Sequence, residues 1–190
     1  MSQSDIQHAA LWLIGPDMPG LLRLGAKFVA DRGGNIDKDI ADKFGEKAVV
    51  FLSITAKSED IKRMEREKDE LRQVSGLGVV FQPMKEPTVP PGFQEDLYGF
   101  DVVTDDAPGI VAELTALVAE FDMLIVGHTG ERRMIPGPRL RAAAGQKYIV
   151  MLPFQFDRLA FTRRLDELVK RHGGTIKAPL RTVPGLLWWW

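Results

Sequence analysis

Gly15-Pro16-Asp17-Met18-Pro19-Gly20 follows the apolar run Ala9-Ala10-Leu11-Trp12-Leu13-Ile14 and opens the periodic stretch Leu21 to Val29. An apolar run, a Gly/Pro turn and then helical spacing read as strand, tight turn, helix. Asp17 is expected to accept a hydrogen bond from an orphan N–H of that helix and to complement its dipole. Pro19 fits a first helical turn, where a missing N–H costs nothing. Gly20 has no Cβ, so another backbone or a ligand can come close. The signature returns at Thr104-Asp105-Asp106-Ala107-Pro108-Gly109, with both Asp106 and Gly109 placed 89 residues after their counterparts. A turn copied at a fixed offset, again between a strand-like and a helix-like run, marks an internal repeat.

Outward from the first turn, residues 8–14 read as a buried strand and 20–32 as a helix with Leu21, Leu24, Phe28 and Val29 inward, stopped by Gly33-Gly34. Residues 35–41 read as a strand with one wet face, and 48–54 as a β-branched buried strand beyond the turn at Phe44-Gly45-Glu46. A charged helix over 58–74 and a short strand over 78–81 complete the order β-α-β-β-α-β, the ferredoxin-like split unit. The second copy repeats this order: strand 97–104, helix 109–121, a strand from Met123, a strand over 148–152, helix 157–171 and a last strand from Thr175. The expected fold is α+β, two ferredoxin-like domains in tandem. The first spans 5–84, a Pro-rich linker 85–96, the second 97–182, and an apolar Trp-rich tail 183–190. A basic excursion, Arg132 to Lys147, separates the second and third strands of the second copy.

With 190 residues, 45% of them hydrophobic, the chain can bury two small cores. A formal net charge of −1 supplies no field that recruits nucleic acid or an anionic membrane. Without cysteine there is no disulfide, thiolate metal site or thiol nucleophile, which fits the cytoplasm. The polar stretch from Met1 to Gln7 does not read as a secretory signal, and the longest apolar runs fall far short of a bilayer span. His8, His128 and His172 are scattered, without metal-ligand or acid–base spacing, and no nucleophile elbow or phosphate-binding loop appears. No enzyme, cofactor or metal is expected.

Gly15-Pro16-Asp17-Met18-Pro19-Gly20-Leu21, Gly34-Asn35-Ile36 and Asp105-Asp106-Ala107-Pro108-Gly109-Ile110-Val111 resemble the corresponding motifs of ACT domains, small regulatory modules that bind amino acids. A tandem pair with no catalytic domain and a Pro/Gly-bearing excursion in its second unit is similar to the glycine cleavage system transcriptional repressor family. The resemblance implies a non-enzymatic regulator that senses a small amino acid, glycine or serine, and acts on transcription through a partner protein, as a homo-oligomer. It also implies ligand-binding roles for Asp17, Met18, Pro19, Gly20, Asn35, Ile36, Asp106, Ala107, Pro108 and Gly109. Each role has a plainer rival. Both aspartates can serve only as caps, and Asn35 only as a turn or strand-start residue. The Asn35 amide matches a zwitterion, whereas the aligned residue of the second copy is Leu124, so two unequal sites are expected. The stronger one combines Asn35 either with its own turn or with the turn at Asp106 to Gly109. The competing reading is a ligand-free interaction module that works through its sheet edges and through Leu186-Leu187-Trp188-Trp189-Trp190, a tail suited to packing on its own domain or on a partner.

With this charge balance and no groove-reading motif, the isolated protein should show no sequence-specific DNA binding at physiological salt. Gel-shift titrations against promoter fragments check this, and nanomolar sequence-selective retardation without a partner would overturn it.

Overall fold

A computed structural model describes residues 5–86, 88–135 and 141–183. The tail from Pro184 to Trp190 and the centre of the basic excursion lie outside the described residues. The chain divides into two compact units between Thr88 and Val89.

Unit 1 runs β1 (Ile6–Pro16), α1 (Leu21–Ala30), β2 (Asn35–Phe44), β3 (Lys47–Lys57), α2 (Ser58–Ser75) and β4 (Gly78–Met84). Unit 2 runs β5 (Phe93–Asp105), α3 (Ile110–Glu120), β6 (Leu124–Ile135), β7 (Arg141–Pro153), α4 (Arg158–Arg171) and β8 (Thr175–Thr182). Each is a four-stranded antiparallel sheet, ordered β2-β3-β1-β4 and β6-β7-β5-β8. In each unit the first helical connection carries the chain to the edge strand, leaving room for the third strand between, and the second returns it beside the first strand, as the βαββαβ order requires.

Alternation along the strands decides which side the helices cover. Ala9, Leu11 and Leu13 of β1, with Val50, Leu52 and Ile54 of β3, face Leu21, Phe28 and Val29 of α1 and Ile61, Met64 and Leu71 of α2 in one buried cluster. In unit 2 the equivalent cluster holds Phe100 and Val102 of β5, Tyr148, Val150 and Leu152 of β7, and the inner stripes of α3 and α4. Each fully buried aliphatic or aromatic side chain contributes roughly 1.5–3 kcal/mol.

The repeat holds residue for residue. The registers Leu11↔Leu52 and Phe100↔Tyr148 are the same pair in the two copies. A register shift follows Ile36 on β2 and, at the matching place, Ile125 on β6. Gly33 turns the chain out of α1 with φ 77°, and the matching residue of unit 2, Asp122, adopts φ 52°. Aspartate is among the few non-glycine residues that enter this region at modest cost.

Three sequence expectations change. Phe93 to Asp96, read as linker, begin β5, whose early residues are bulged against β7 between Phe93 and Leu97. The basic excursion is mostly β-ribbon, because β6 runs to Ile135 and β7 restarts at Arg141, still paired with one another. Charged and small residues there disguise an extended hairpin. Helix α1 begins at Leu21 rather than at Gly20, and the residues before it form a turn.

Tyr148 has a hydroxyl without a hydrogen-bond partner among the described residues and a ring stacked on Phe100 at 4.9 Å. Burial pushes its pKa up to about 12. An acid that holds its proton more tightly when folded contributes stability below its unfolded pKa of about 10, and loses it as pH rises towards the folded value. Tyr148→Phe should therefore leave stability at neutral pH unchanged, or raise it by about 1 kcal/mol, and should remove that alkaline loss. Denaturant unfolding at neutral pH and near pH 11 reads both effects. A neutral-pH loss well above 2 kcal/mol would show that the hydroxyl is partnered.

Candidate functional site

The turn that opens each unit is built identically. In unit 1 the Asp17 N–H donates to Glu46 O at 3.0 Å, and in unit 2 the Asp106 N–H donates to Ala142 O at 3.2 Å. The first helical N–H donates weakly back into the turn, Leu21 to Met18 O and Ile110 to Ala107 O, both at 3.4 Å. Gly20 and Gly109 are the N-cap residues, with φ of 86° and 90°. That left-handed conformation swings the chain from the central strand onto the sheet, and glycine enters it without Cβ strain.

The aspartates do not cap these helices, contrary to the sequence expectation. Neither α1 nor α3 has a side-chain cap. Each carboxylate instead reaches across to the edge strand: Asp17 Oδ2 lies 2.5 Å from Lys43 Nζ, and Asp106 Oδ2 lies 2.6 Å from Arg132 Nε. With a glycine at the N-cap and three residues between carboxylate and helix, the side chain starts too early to meet the first turn. The basic partner, 89 residues apart in the two copies, was the missed signal.

With the aspartate turned aside, the first turn of α3 stays open. The N–H groups of Val111 and Ala112 have no partner among the described residues. Val111 and Ala112 line an open surface hollow of about 730 Å³ with Asp106, Gly109, His128, Arg132 and Gln146. β6 supplies His128, Gly130 and Arg132 on one face, and β7 supplies Gln146 directly opposite Gly130. Gln146 is 6% exposed and its Oε1 lies 2.8 Å from His128 Nε2. The His128 ring in turn leans on Tyr148, with centroids 4.5 Å apart. A helix N-terminus with free N–H groups, a guanidinium and a carboxylate offer matched partners to a small zwitterion.

Unit 1 has the turn and the ion pair but not this lining. Asp39, Ala41 and Val50 stand where unit 2 has His128, Gly130 and Gln146. Asn35 does not meet its own turn. It opens β2, while Lys43, which holds Asp17, lies near the far end, roughly 26 Å along an extended strand. The Asn35 Nδ2 donates to Asp37 Oδ1 at 3.0 Å, the Thr55 hydroxyl donates to the other Asp37 oxygen, and His8 Nδ1 lies 3.4 Å from Thr55 Oγ1. The carboxylate holds the hydroxyl rather than the imidazole, the reverse of a nucleophile–base–orienter chain. Ile36 packs against the unit 1 core, Met18 is 42% exposed, and Leu124 is half-exposed at the start of β6. Ala107 and Pro108 complete the second turn. In the basic ribbon, Arg133 pairs with Glu131 while Lys147 is exposed on the sheet's other face. Among the described residues no three acidic or histidine side chains are placed to hold a metal, and no helix is long and apolar enough to cross a membrane.

Because both ion pairs are solvent-exposed, they should be nearly neutral for folding. Arg132→Gln and Lys43→Gln are each expected to change unfolding free energy by less than about 1 kcal/mol. Thermal and denaturant melts check this, and a larger loss would make the pair a structural clamp of the turn.

No protein-family model matches the chain, and no curated protein matches it. Among solved structures it is similar to an unknown protein from Galdieria sulphuraria, with TM-score 0.75 and 18% identity over 94% of this chain and 99% of that one. It is also similar to a protein provisionally named a glycine cleavage system transcriptional repressor, with TM-score 0.67 and 17% identity over 94% of this chain and 98% of that one. Both likenesses run through the two units, and at these identities they speak to the fold. The chain is thus a tandem pair of ferredoxin-like βαββαβ domains, similar in fold to that provisionally named repressor.

Proposed function

We propose that this protein is a non-enzymatic regulator that binds a small amino acid at the α3 turn of unit 2 and passes its ligand state to a partner protein. The observation that carries this reading is the Asp106–Arg132 pair beside the free N–H groups of Val111 and Ala112. The ligand carboxylate takes the helix N-terminus and the Arg132 guanidinium, and the ligand ammonium takes Asp106. The two charges of the zwitterion thereby enter an existing ion pair without leaving either protein charge unpartnered.

Ligand in that position changes what holds the turn to β6. A regulator needs such a difference, since a ligand shifts a conformational equilibrium only by its differential affinity for the two states. The fold shared with a provisionally named repressor of glycine cleavage supports transcriptional control as the process served; action through a partner and in a self-associated form is part of the proposal. Glycine and serine are the first ligands to test.

A thermal-shift screen with the proteinogenic amino acids tests the reading. A ligand that binds only the folded state stabilises by about 2.7 kcal/mol at a hundred times its Kd, a rise of several degrees for a domain this size. Asp106→Asn and Arg132→Gln should abolish the rise. If no amino acid raises the melting temperature of the wild-type chain, the sensing role is wrong.

A further inference from the structure

Gln146 is a polar side chain in a place the fold fills with an apolar one. Its counterpart in unit 1 is Val50, 1% exposed, flanked by Leu13 and Ala41 in the same register as Val102 and Gly130 flank Gln146. The sheet and helices therefore do not require an amide there. Burying one costs free energy unless its hydrogen bonds are made, roughly 1–3 kcal/mol for an unsatisfied group.

Half of the requirement is met. His128 engages the carbonyl oxygen at 2.8 Å, and the Nε2 amide group has no hydrogen-bond partner among the described residues. Two features leave that amide facing the hollow that it lines together with Val111, Ala112 and Arg132. Gly130, directly opposite, has no side chain, and a Cβ there would come within 2.6 Å of Oε1 and 3.0 Å of Nε2. His128, held between Tyr148 and Gln146, keeps the carbonyl on its own side, so the two N–H donors remain for something else.

We infer that Gln146 is the specificity-determining residue of the unit 2 site: its amide, unpartnered within the protein, selects amino acids whose side chain carries a hydrogen-bond acceptor, over glycine and apolar amino acids. This rests on the reading of the α3 turn as an amino-acid site. The α-carboxylate and α-ammonium are common to every amino acid and are met by the helix terminus, Arg132 and Asp106. The amide adds a third contact that only an acceptor-bearing side chain satisfies. A ligand that covers the amide without accepting from it takes the amide's solvent away unpaired, and a site that hydrogen-bonds its ligand rejects such analogues far better than an apolar pocket rejects an added hydroxyl.

Calorimetric titration of the full chain with two near-isosteric pairs tests this, L-serine against L-alanine and L-asparagine against L-leucine, with glycine as the bare zwitterion. The expected result is at least tenfold tighter binding of the acceptor-bearing member of each pair. Gln146→Val, which installs the residue of unit 1, should bring both ratios close to one while alanine and leucine still bind. Gly130→Ala, whose Cβ displaces the amide, should do the same and stands in if Gln146→Val does not fold. Equal affinities within each pair in the wild-type chain, or ratios that survive in both variants, overturn the selectivity while leaving amino-acid binding intact. If none of the five ligands binds, the site reading and the selectivity fall together.

Discussion

The left-handed backbone at Gly20 and Gly109 is the constraint on which both units depend. The central strand of each sheet must hand the chain to a helix lying on one face, within a few residues. A φ near +90° at the residue before the helix makes that reversal, and the backbone hydrogen bonds from Asp17 to Glu46 and from Asp106 to Ala142 fasten the turn to the neighbouring hairpin. Everything the helix then buries follows from the angle at which it leaves. The same geometry leaves the first N–H groups of the helix without side-chain caps, because the glycine sits at the position from which a side chain would cap. An open helix N-terminus is thus a by-product of the turn, and unit 2 surrounds it with polar groups.

The element order and the doubling were legible because they rest on period and spacing. The apolar runs of β1, β3, β5 and β7, the stripes on α1 and α3, and the two Asp-x-Pro-Gly turns do not depend on tertiary partners. The role of the aspartates was not legible. Capping is a local expectation, and it lost to a non-local one: Lys43 and Arg132 come beside the turn only through strand pairing. The ends of strands failed for a related reason. Phe93-Gln94-Glu95-Asp96 and Glu131-Arg132-Arg133 look like linker and loop because both are edge or terminal segments, where charge is tolerated and alternation fades.

Gln146 was hidden by its neighbours. Ala142-Ala143-Ala144-Gly145-Gln146 carries no β-branched residue and no alternation that assigns Gln146 a face. The repeat itself contained the missing signal. The β5–β8 half keeps an offset of 89 residues through β6 but 96 along β7, the hairpin having absorbed seven more residues. With that break placed, a glutamine falls opposite Val50, and a polar residue in a core position stands out. Asn35, by contrast, was conspicuous in the sequence and proves to be engaged locally by Asp37, at the end of β2 remote from the turn of its own unit.

The repeat also separates what the fold needs from what the site adds. Both units keep the glycine turn, the turn-to-hairpin hydrogen bond, the carboxylate–cation pair and the strand register, so these belong to the architecture. His128, Gly130 and Gln146 appear once, on the inner face of one edge strand and its neighbour. An exposed ion pair contributes little to stability, so a zwitterion that repartners both of its charges meets small resistance from the pair itself. On the proposed reading the binding energy then comes from the groups unpartnered within the protein, the N–H groups of α3 and the amide of Gln146. Those groups lie on different elements, a helix and a sheet. A ligand that satisfies both at once links them, and its affinity is by that fact a difference in the free energy with which α3 and the β6–β7 ribbon hold together.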